Sequence, residues 1–85
     1  MRKGVDKKSI KLFGKRLAAV RKEKDLTQHA LAFETGLTLS QIARIETGVI
    51  NTSLNTIFII AKALEVEPKE LFDFVLAPNS KNKAD

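Results

Sequence analysis

Two short segments with helical periodicity follow one another in the middle of the chain, and each ends at a glycine. The first ends at Gly36 and the second at Gly48. Glycine readily adopts the left-handed conformation in which many helices stop. Thr27 precedes the first segment and can accept a hydrogen bond from the free N–H groups of a first helical turn. The pattern predicts two consecutive short helices joined by a tight turn, the second beginning at Thr38 or Leu39.

The remaining ordered-looking sequence is also helical in period, and it lacks the alternation of a half-buried strand. Ser9 is the expected N-cap of the first helix, and residues 52–53 are the expected cap of the fourth. Pro68 suits the first turn of a fifth, where its missing N–H is not needed. The aligned apolar positions are Ile10, Phe13, Leu17 and Val20 in the first helix, Leu54, Ile57, Ala61 and Leu64 in the fourth, and Leu71 with Phe72 in the fifth.

Basic residues are concentrated at the start of the chain. Ten of the 15 lysines and arginines lie in residues 1–24, where Asp6 and Glu23 are the acidic residues. Such a segment suits a polyanion, such as DNA, RNA or an anionic membrane surface. A solvated helix face with a soluble arm has the same composition, so charge alone leaves both interpretations open.

The residues that are missing also limit the function. The chain has no cysteine, which excludes disulfides and thiolate metal sites and agrees with a reducing cytoplasm. It shows no paired histidines, no glycine-rich phosphate loop and no signal-peptide pattern, and the longest apolar run, residues 57–61, is far too short to cross a bilayer. We therefore expect a cytoplasmic protein that is not an enzyme, with no cofactor, no metal site, no membrane partner and no small-molecule effector.

Residues 26–48, LTQHALAFETGLTLSQIARIETG, resemble the helix-turn-helix of the Cro and C1 phage repressors, the XRE family. Ala32 stands where the two helices of the motif cross closely, and Gly36 stands at the turn. The resemblance implies an all-α, five-helix lambda-repressor-like DNA-binding domain over residues 9–77. A basic arm, residues 1–8, precedes it, and a disordered polar tail, residues 78–85, follows. The apolar positions of the motif are Leu31, Leu37, Ile42 and Ile45.

The resemblance also implies which residues meet DNA. In this family the second helix of the motif, here around residues 39–47, lies in the major groove. Arg44 can donate two hydrogen bonds to guanine, and Gln41 can bond to adenine or contact a phosphate. Leu39 cannot make the polar contact that many relatives make, so it either packs on a thymine methyl group or covers the helix start. The implied base contacts are Leu39, Ser40, Gln41 and Arg44, and the implied backbone contacts are Gln28, Thr38, Thr47 and Asn51.

Two further pairings are expected. The family pattern places an arginine late in the first helix opposite a glutamate late in the recognition helix, which predicts an ion pair between Arg21 and Glu46. Surplus apolar residues near the C-terminus predict a homodimer, although they could instead fold back on the core. The residues expected at the dimer interface are Phe58, Ile59, Phe74, Val75 and Leu76.

The apolar side chain of Phe33, in the second helix, is expected to fold over the first helix.

The sequence thus predicts a sequence-specific regulator of transcription that binds double-stranded operator DNA and acts as a repressor. Two alternatives use the same fold: an antitoxin of a toxin–antitoxin pair and a controller protein of a restriction–modification system. A third is a regulator that binds proteins and has lost contact with DNA.

Overall fold

The computed structural model describes residues 4–76, and this part of the chain is helical without strands. The predicted tail therefore lies outside the described residues, as do residues 1–3 and 77. Within the described part, the helices are α1 (Lys7–Glu23), α2 (Gln28–Thr35), α3 (Leu39–Thr47) and α4 (Leu54–Leu64), followed by a 3-10 helix, Pro68–Phe72. None of the helices in residues 4–76 is both long and apolar enough to cross a membrane.

The first helix begins earlier than predicted. Its N-cap is Asp6, whose Oδ1 accepts a hydrogen bond from the Ser9 N–H at 3.0 Å. The Ser9 hydroxyl donates to Asp6 Oδ2 at 2.6 Å, so Ser9 supports the cap from inside the helix rather than forming it. These bonds lower the pKa of Asp6, because they favour its ionised form. Lys7 and Lys8, which the sequence assigned to the arm, consequently lie in the first turn of α1.

The two central helices begin and end where the sequence predicts. The hydroxyl of Thr27 accepts from the Ala30 N–H at 3.0 Å at the start of α2, and Thr38 caps α3. Gly36 and Gly48 end these helices with φ of 78° and 76°, values that residues with a side chain rarely adopt. Local chemistry is therefore sufficient to define the limits of α2 and α3.

The predicted fifth α-helix is instead a 3-10 helix of five residues. Pro68 begins it as expected, and the Glu70 side chain accepts from the Glu67 N–H at 3.0 Å. The Glu70 carbonyl oxygen accepts from Arg16 Nε at 2.7 Å, a partner outside the segment. The segment has only five residues before Asp73, and the Glu70 carbonyl oxygen is bonded to Arg16 of α1. So short a segment can form few α-helical hydrogen bonds, and it adopts the tighter 3-10 conformation instead.

A single hydrophobic core joins the helices. α1 packs against α3 and the 3-10 helix, and α2 packs against α3 and α4. Burying a large aliphatic side chain stabilises a fold by about 1.5–3 kcal/mol, so the fully buried positions supply much of the driving force. The buried apolar residues are Phe13, Leu17, Val20, Leu31, Ala32, Ile42, Ile45, Ile57, Ile60, Ala61, Leu64 and Leu71.

Three apolar residues lie outside the core against expectation. Phe72 is 45% exposed, although its ring centroid lies 5.1 Å from that of the buried Phe13. Leu54 is 67% exposed, because it is the first residue of α4 and that end of the helix extends beyond the core. Ile60, which is not among the apolar positions expected to align in α4, is fully buried. Phe33 does not fold over α1: it is 83% exposed on α2, because its position faces away from the buried Leu31 and Ala32.

The backbones of α1 and α3 approach closely at Gly14. A Cβ atom at this position would overlap the carbonyl oxygens of Ile45 and Glu46 in the last turn of α3. Both oxygens belong to backbone that is fixed within a helix, so they cannot move aside as a flexible side chain could. The absence of a side chain at Gly14 thus sets the distance between the two helices.

We expect Gly14→Ala to lower the free energy of unfolding by about 1–3 kcal/mol, because the added methyl group forces the helices apart. Helix propensity alone favours alanine over glycine by about 1 kcal/mol, so it predicts a change of opposite sign. Chemical denaturation monitored by circular dichroism measures the difference. The control is Lys15→Ala at the adjacent exposed position. A Gly14→Ala protein more stable than the wild type would contradict the close approach.

Candidate nucleic-acid interface

The outer face of α3 presents its polar side chains to solvent. Leu39, Ser40, Gln41 and Arg44 are all exposed, while Ile42 and Ile45 on the opposite face are fully buried. Ser40 and Arg44 are one turn apart and so share a face of the helix. Within residues 4–76, Arg44 makes no ion pair or side-chain hydrogen bond, which leaves all five of its N–H donors available. The side chains predicted to contact bases therefore share one accessible surface.

The side chain of Gln41 is occupied in the start of its own helix. Its Oε1 accepts from the Thr38 N–H at 2.9 Å, and its backbone N–H donates to Thr38 Oγ1 at 3.0 Å, which completes a capping box. A bidentate contact to adenine uses both ends of the amide. That contact requires Gln41 to leave the capping box, whereas a phosphate contact from Nε2 does not.

The threonines that flank α3 differ in what they can offer to a phosphate. A phosphate oxygen is an acceptor, so a hydroxyl must donate its single proton to it. The Thr38 hydroxyl accepts a hydrogen bond from the Gln41 N–H, and within residues 4–76 it donates none, so its proton is available. Thr47 donates its proton to the Ala43 carbonyl oxygen at 3.0 Å, so it must rotate before it can contact DNA. Asn51 is exposed in the loop after α3.

Arg21 and Glu46 form a buried ion pair between α1 and α3, with only 7% and 8% of each residue exposed. Arg21 Nε donates to Glu46 Oε2 at 2.5 Å, and Nη2 donates to Oε1 at 3.0 Å. The third bond runs from Nη1 to the Leu26 carbonyl oxygen at 2.8 Å. The bonds to Glu46 raise the pKa of Arg21 above its already high usual range. The pair thus joins α1, the loop before α2, and the last turn of α3.

Gln28 joins this pair, which the sequence did not predict. Its Nε2 donates to Glu46 Oε1 at 2.9 Å, so the carboxylate accepts three hydrogen bonds in all. One feature of the sequence agrees with this bond: the side chain of Leu39, at the start of α3, has no polar atom that could bond to Gln28 in place of Glu46. That the acceptor is Glu46 depends on how α2 and α3 cross.

The apolar residues near the C-terminus divide into exposed and half-buried groups. Val75 is 89% exposed, and Leu76 and Phe58 are also largely open to solvent. Ile59 is half-buried, and Phe74 packs partly against the core with its ring centroid 6.4 Å from that of Phe72. Some of these apolar residues therefore pack against the domain, and the others are exposed to solvent in the part of the chain that the structure describes.

We expect Arg21→Ala to lower the free energy of unfolding by about 3–5 kcal/mol, because it leaves Glu46 buried without its ionic partner. Glu46→Ala should have a cost of similar size, and the double replacement should cost less than the two added together. Denaturant unfolding of the three variants measures this coupling. Lys22→Ala, at the exposed neighbouring position, is the control. Additive losses would show that the two groups act independently.

Comparisons with known proteins agree with this geometry. A helix-turn-helix family, HTH_3, matches residues 17–71. The control protein C.BamHI of Bacillus amyloliquefaciens is 42% identical over 73 residues, which are 85% of this chain and 90% of that protein. The immunity repressor of Bacillus phage phi105 is 43% identical over 54 residues, which are 64% of this chain but 38% of the repressor.

Solved structures give the same result. The restriction–modification controller protein C.AhdI of Aeromonas hydrophila superposes with a TM-score of 0.75 at 43% identity, covering 76% of this chain and 98% of that one. The controller protein C.Esp1396I superposes with a TM-score of 0.70 at 28% identity, covering 76% and 84%. The described helices, the buried core and the matched residues have one common explanation: this chain belongs to the helix-turn-helix family HTH_3, the Cro/C1-type, XRE class of DNA-binding transcription regulators.

Proposed function

We propose that this chain is a sequence-specific regulator that binds double-stranded DNA as a homodimer and serves as the controller protein of a restriction–modification system. The observation that carries the DNA-binding part is the accessible face of α3, which lies on a helix anchored from behind by the buried Arg21–Glu46 pair. On that face Arg44 has no side-chain partner among residues 4–76. A rigid helix with an exposed arginine is suited to enter the major groove and read a base there. We refer to α3 below as the recognition helix.

The controller role is favoured by how fully the chain matches its relatives. C.BamHI and C.AhdI are matched over 90% and 98% of their own lengths, so little of either protein lies outside the shared domain. The phage repressor is matched over 38% of its length, which makes a phage-type repressor the second candidate. The proposal includes a cytoplasmic location, because the partner is DNA.

Among the base contacts, Arg44 has the largest role. Its planar guanidinium matches the O6 and N7 atoms of guanine, and such a pair is worth about 1–3 kcal/mol of discrimination. Ser40 can bond to several base edges and so selects weakly. Leu39 offers an apolar contact suited to a thymine methyl group. Gln41 is better suited to a phosphate, because its Oε1 is already bonded to Thr38.

The backbone contacts surround the recognition helix. Gln28 stands at the start of α2, where the positive end of the helix dipole favours a phosphate. Thr38 precedes the recognition helix, Thr47 ends it, and Asn51 follows in the next loop. Such contacts fix the register of the protein on DNA without reading the sequence.

The homodimer would use the apolar surface formed by Phe58, Ile59, Phe74, Val75 and Leu76, which we call the C-terminal apolar surface. Phe58, Val75 and Leu76 would supply the contact area, because they are the members of this group that remain exposed. Ile59 and Phe74 would support them from below, since both are half-buried. A two-fold dimer presents two recognition helices to successive turns of the major groove, about 34–36 Å apart.

Selection of bound sequences from random double-stranded DNA tests the proposed function directly. We expect a short palindromic pair of half-sites, because a two-fold protein reads each half in the same way. Binding should weaken steeply between 50 and 200 mM salt as phosphate contacts release counterions. Recovery of no common sequence would exclude the proposal. A gene for a restriction enzyme or methyltransferase beside the selected site would support the controller role.

We expect Arg44→Ala to reduce affinity for the selected duplex by about 1–3 kcal/mol and to relax selection at one base pair of each half-site. The reason is the loss of a bidentate contact that only guanine can make. Repeating the selection with the variant protein measures both effects. Lys62→Ala on α4 removes the same charge from another exposed position and should leave the selected sequence unchanged. Retention of the full preference by Arg44→Ala would assign base reading to other residues.

We expect Phe58→Asp to shift the protein from dimer to monomer in sedimentation equilibrium at low micromolar concentration. A carboxylate in an apolar interface would be buried without a partner. Phe33→Asp is a matched control, because Phe33 is also an exposed phenylalanine but lies on α2, outside the C-terminal apolar surface. A wild-type protein that is monomeric, or a Phe58→Asp protein that remains dimeric, would contradict the proposed interface.

A further inference from the structure

Gln28 links the start of α2 to the end of the recognition helix. It is the first residue of α2, where a DNA phosphate is proposed to bind, yet its side chain turns inward to Glu46. Glu46 lies one residue before the end of the recognition helix. Gln28 Nε2 donates to Glu46 Oε1 at 2.9 Å, and this is the one hydrogen bond between side chains of α2 and α3 among the described residues.

We infer that Gln28 is a positioning residue that acts through Glu46 on the recognition helix, so that backbone anchoring and sequence reading are coupled through one amide group. The inference rests on the proposed function. The Gln28 amide has two N–H donors. One N–H is bonded to Glu46 Oε1, and the second has no partner within residues 4–76, so it can donate to a phosphate oxygen. A phosphate bound there would contact a side chain that itself holds the recognition helix.

The charges around this amide explain why a neutral donor is suited to the position. The charged groups that are hydrogen-bonded at this amide among the described residues are Glu46 from α3 and, behind that carboxylate, Arg21 from α1. A phosphate on the other side would add a second negative group. Gln28 can donate to both negative groups at once, whereas a carboxylate at this position would repel both of them.

The coupling predicts an effect that a simple phosphate contact would not produce. A residue that only binds phosphate contributes equally to any DNA sequence, so its loss weakens specific and non-specific binding alike. A residue that also positions the recognition helix contributes more to the affinity for the operator than to the affinity for other DNA. The reason is that only the operator has the base that Arg44 contacts when the helix is correctly placed. Loss of the Gln28 amide should therefore reduce the ratio of the two affinities.

The test uses three full-length proteins that lack histidine, because a histidine would add its own protonation over the pH range. The reference is His29→Gln. The test protein carries Gln28→Glu together with His29→Gln, and the matched control is His29→Glu. The test protein and the control each gain one carboxylate in the first turn of α2, but only at position 28 does it face Glu46. Each protein is titrated between pH 8 and 5.5 with the duplex that the wild type selects and with a scrambled duplex of equal length.

At pH 8 we expect the test protein to have an operator-to-scrambled affinity ratio about tenfold below the reference, because two carboxylates that repel each other would displace the end of the recognition helix. The ratio should recover towards pH 5.5, where one proton shared by the carboxyls restores a hydrogen bond. The control should weaken binding to both duplexes by a similar factor, with a ratio that does not depend on pH. A test protein that behaves like the control would overturn the inference.

Gln28→Met provides a second test that introduces no charge. It keeps the length of the side chain, removes both N–H donors, and should lower the affinity ratio at every pH. Circular dichroism establishes that the variants are folded; if Gln28→Glu does not fold, Gln28→Met decides. An unchanged ratio with Gln28→Met would overturn the inference while leaving the proposed function intact. A wild-type protein that selects no DNA sequence would overturn the proposed function, and the inference with it.

Discussion

The guanidinium of Arg21 and the carboxylate of Glu46 meet between α1 and the recognition helix, where both are largely shielded from water. Two opposite charges removed from water repay their desolvation only when good geometry and additional hydrogen bonds accompany them. Here the carboxylate accepts from Arg21 twice and from Gln28 once, while Arg21 also reaches the Leu26 carbonyl. All three elements around the pair must be correctly placed for these bonds to form. The pair therefore favours one arrangement of the recognition helix.

The close approach of the backbones at Gly14 affects the same contact between α1 and the recognition helix. The ion pair draws the end of the recognition helix towards α1, and Gly14 allows the two backbones to meet there without an intervening side chain. Attraction and steric room thus operate on the same turn of α3. The ion pair and the close approach thus fix the position of the outer face of α3, and Thr38 and Gln41 cap the start of the helix. Arg44 on that face has no side-chain partner in the part of the chain that the structure describes.

Local sequence signals predicted most of the fold because they act over only a few residues. The caps at Thr27 and Thr38 and the glycine stops at Gly36 and Gly48 each depend on bonds within one turn of their own helix. Where two local choices competed, the prediction was less accurate. Asp6 and Ser9 are both good N-caps, and the sequence could not show that Ser9 would instead bond to Asp6 from inside the helix.

The sequence by itself determined the family and the order of the helices, and it supplied the residues that we propose to face DNA, because periodicity, caps and side-chain chemistry are readable one segment at a time. Only the tertiary structure decided how these residues are shared. It placed the Gln28 amide on Glu46, and it divided the apolar residues near the C-terminus between the core and solvent. Both outcomes depend on the crossing of elements that are distant in sequence, and the distances between such elements are set only when the whole core packs.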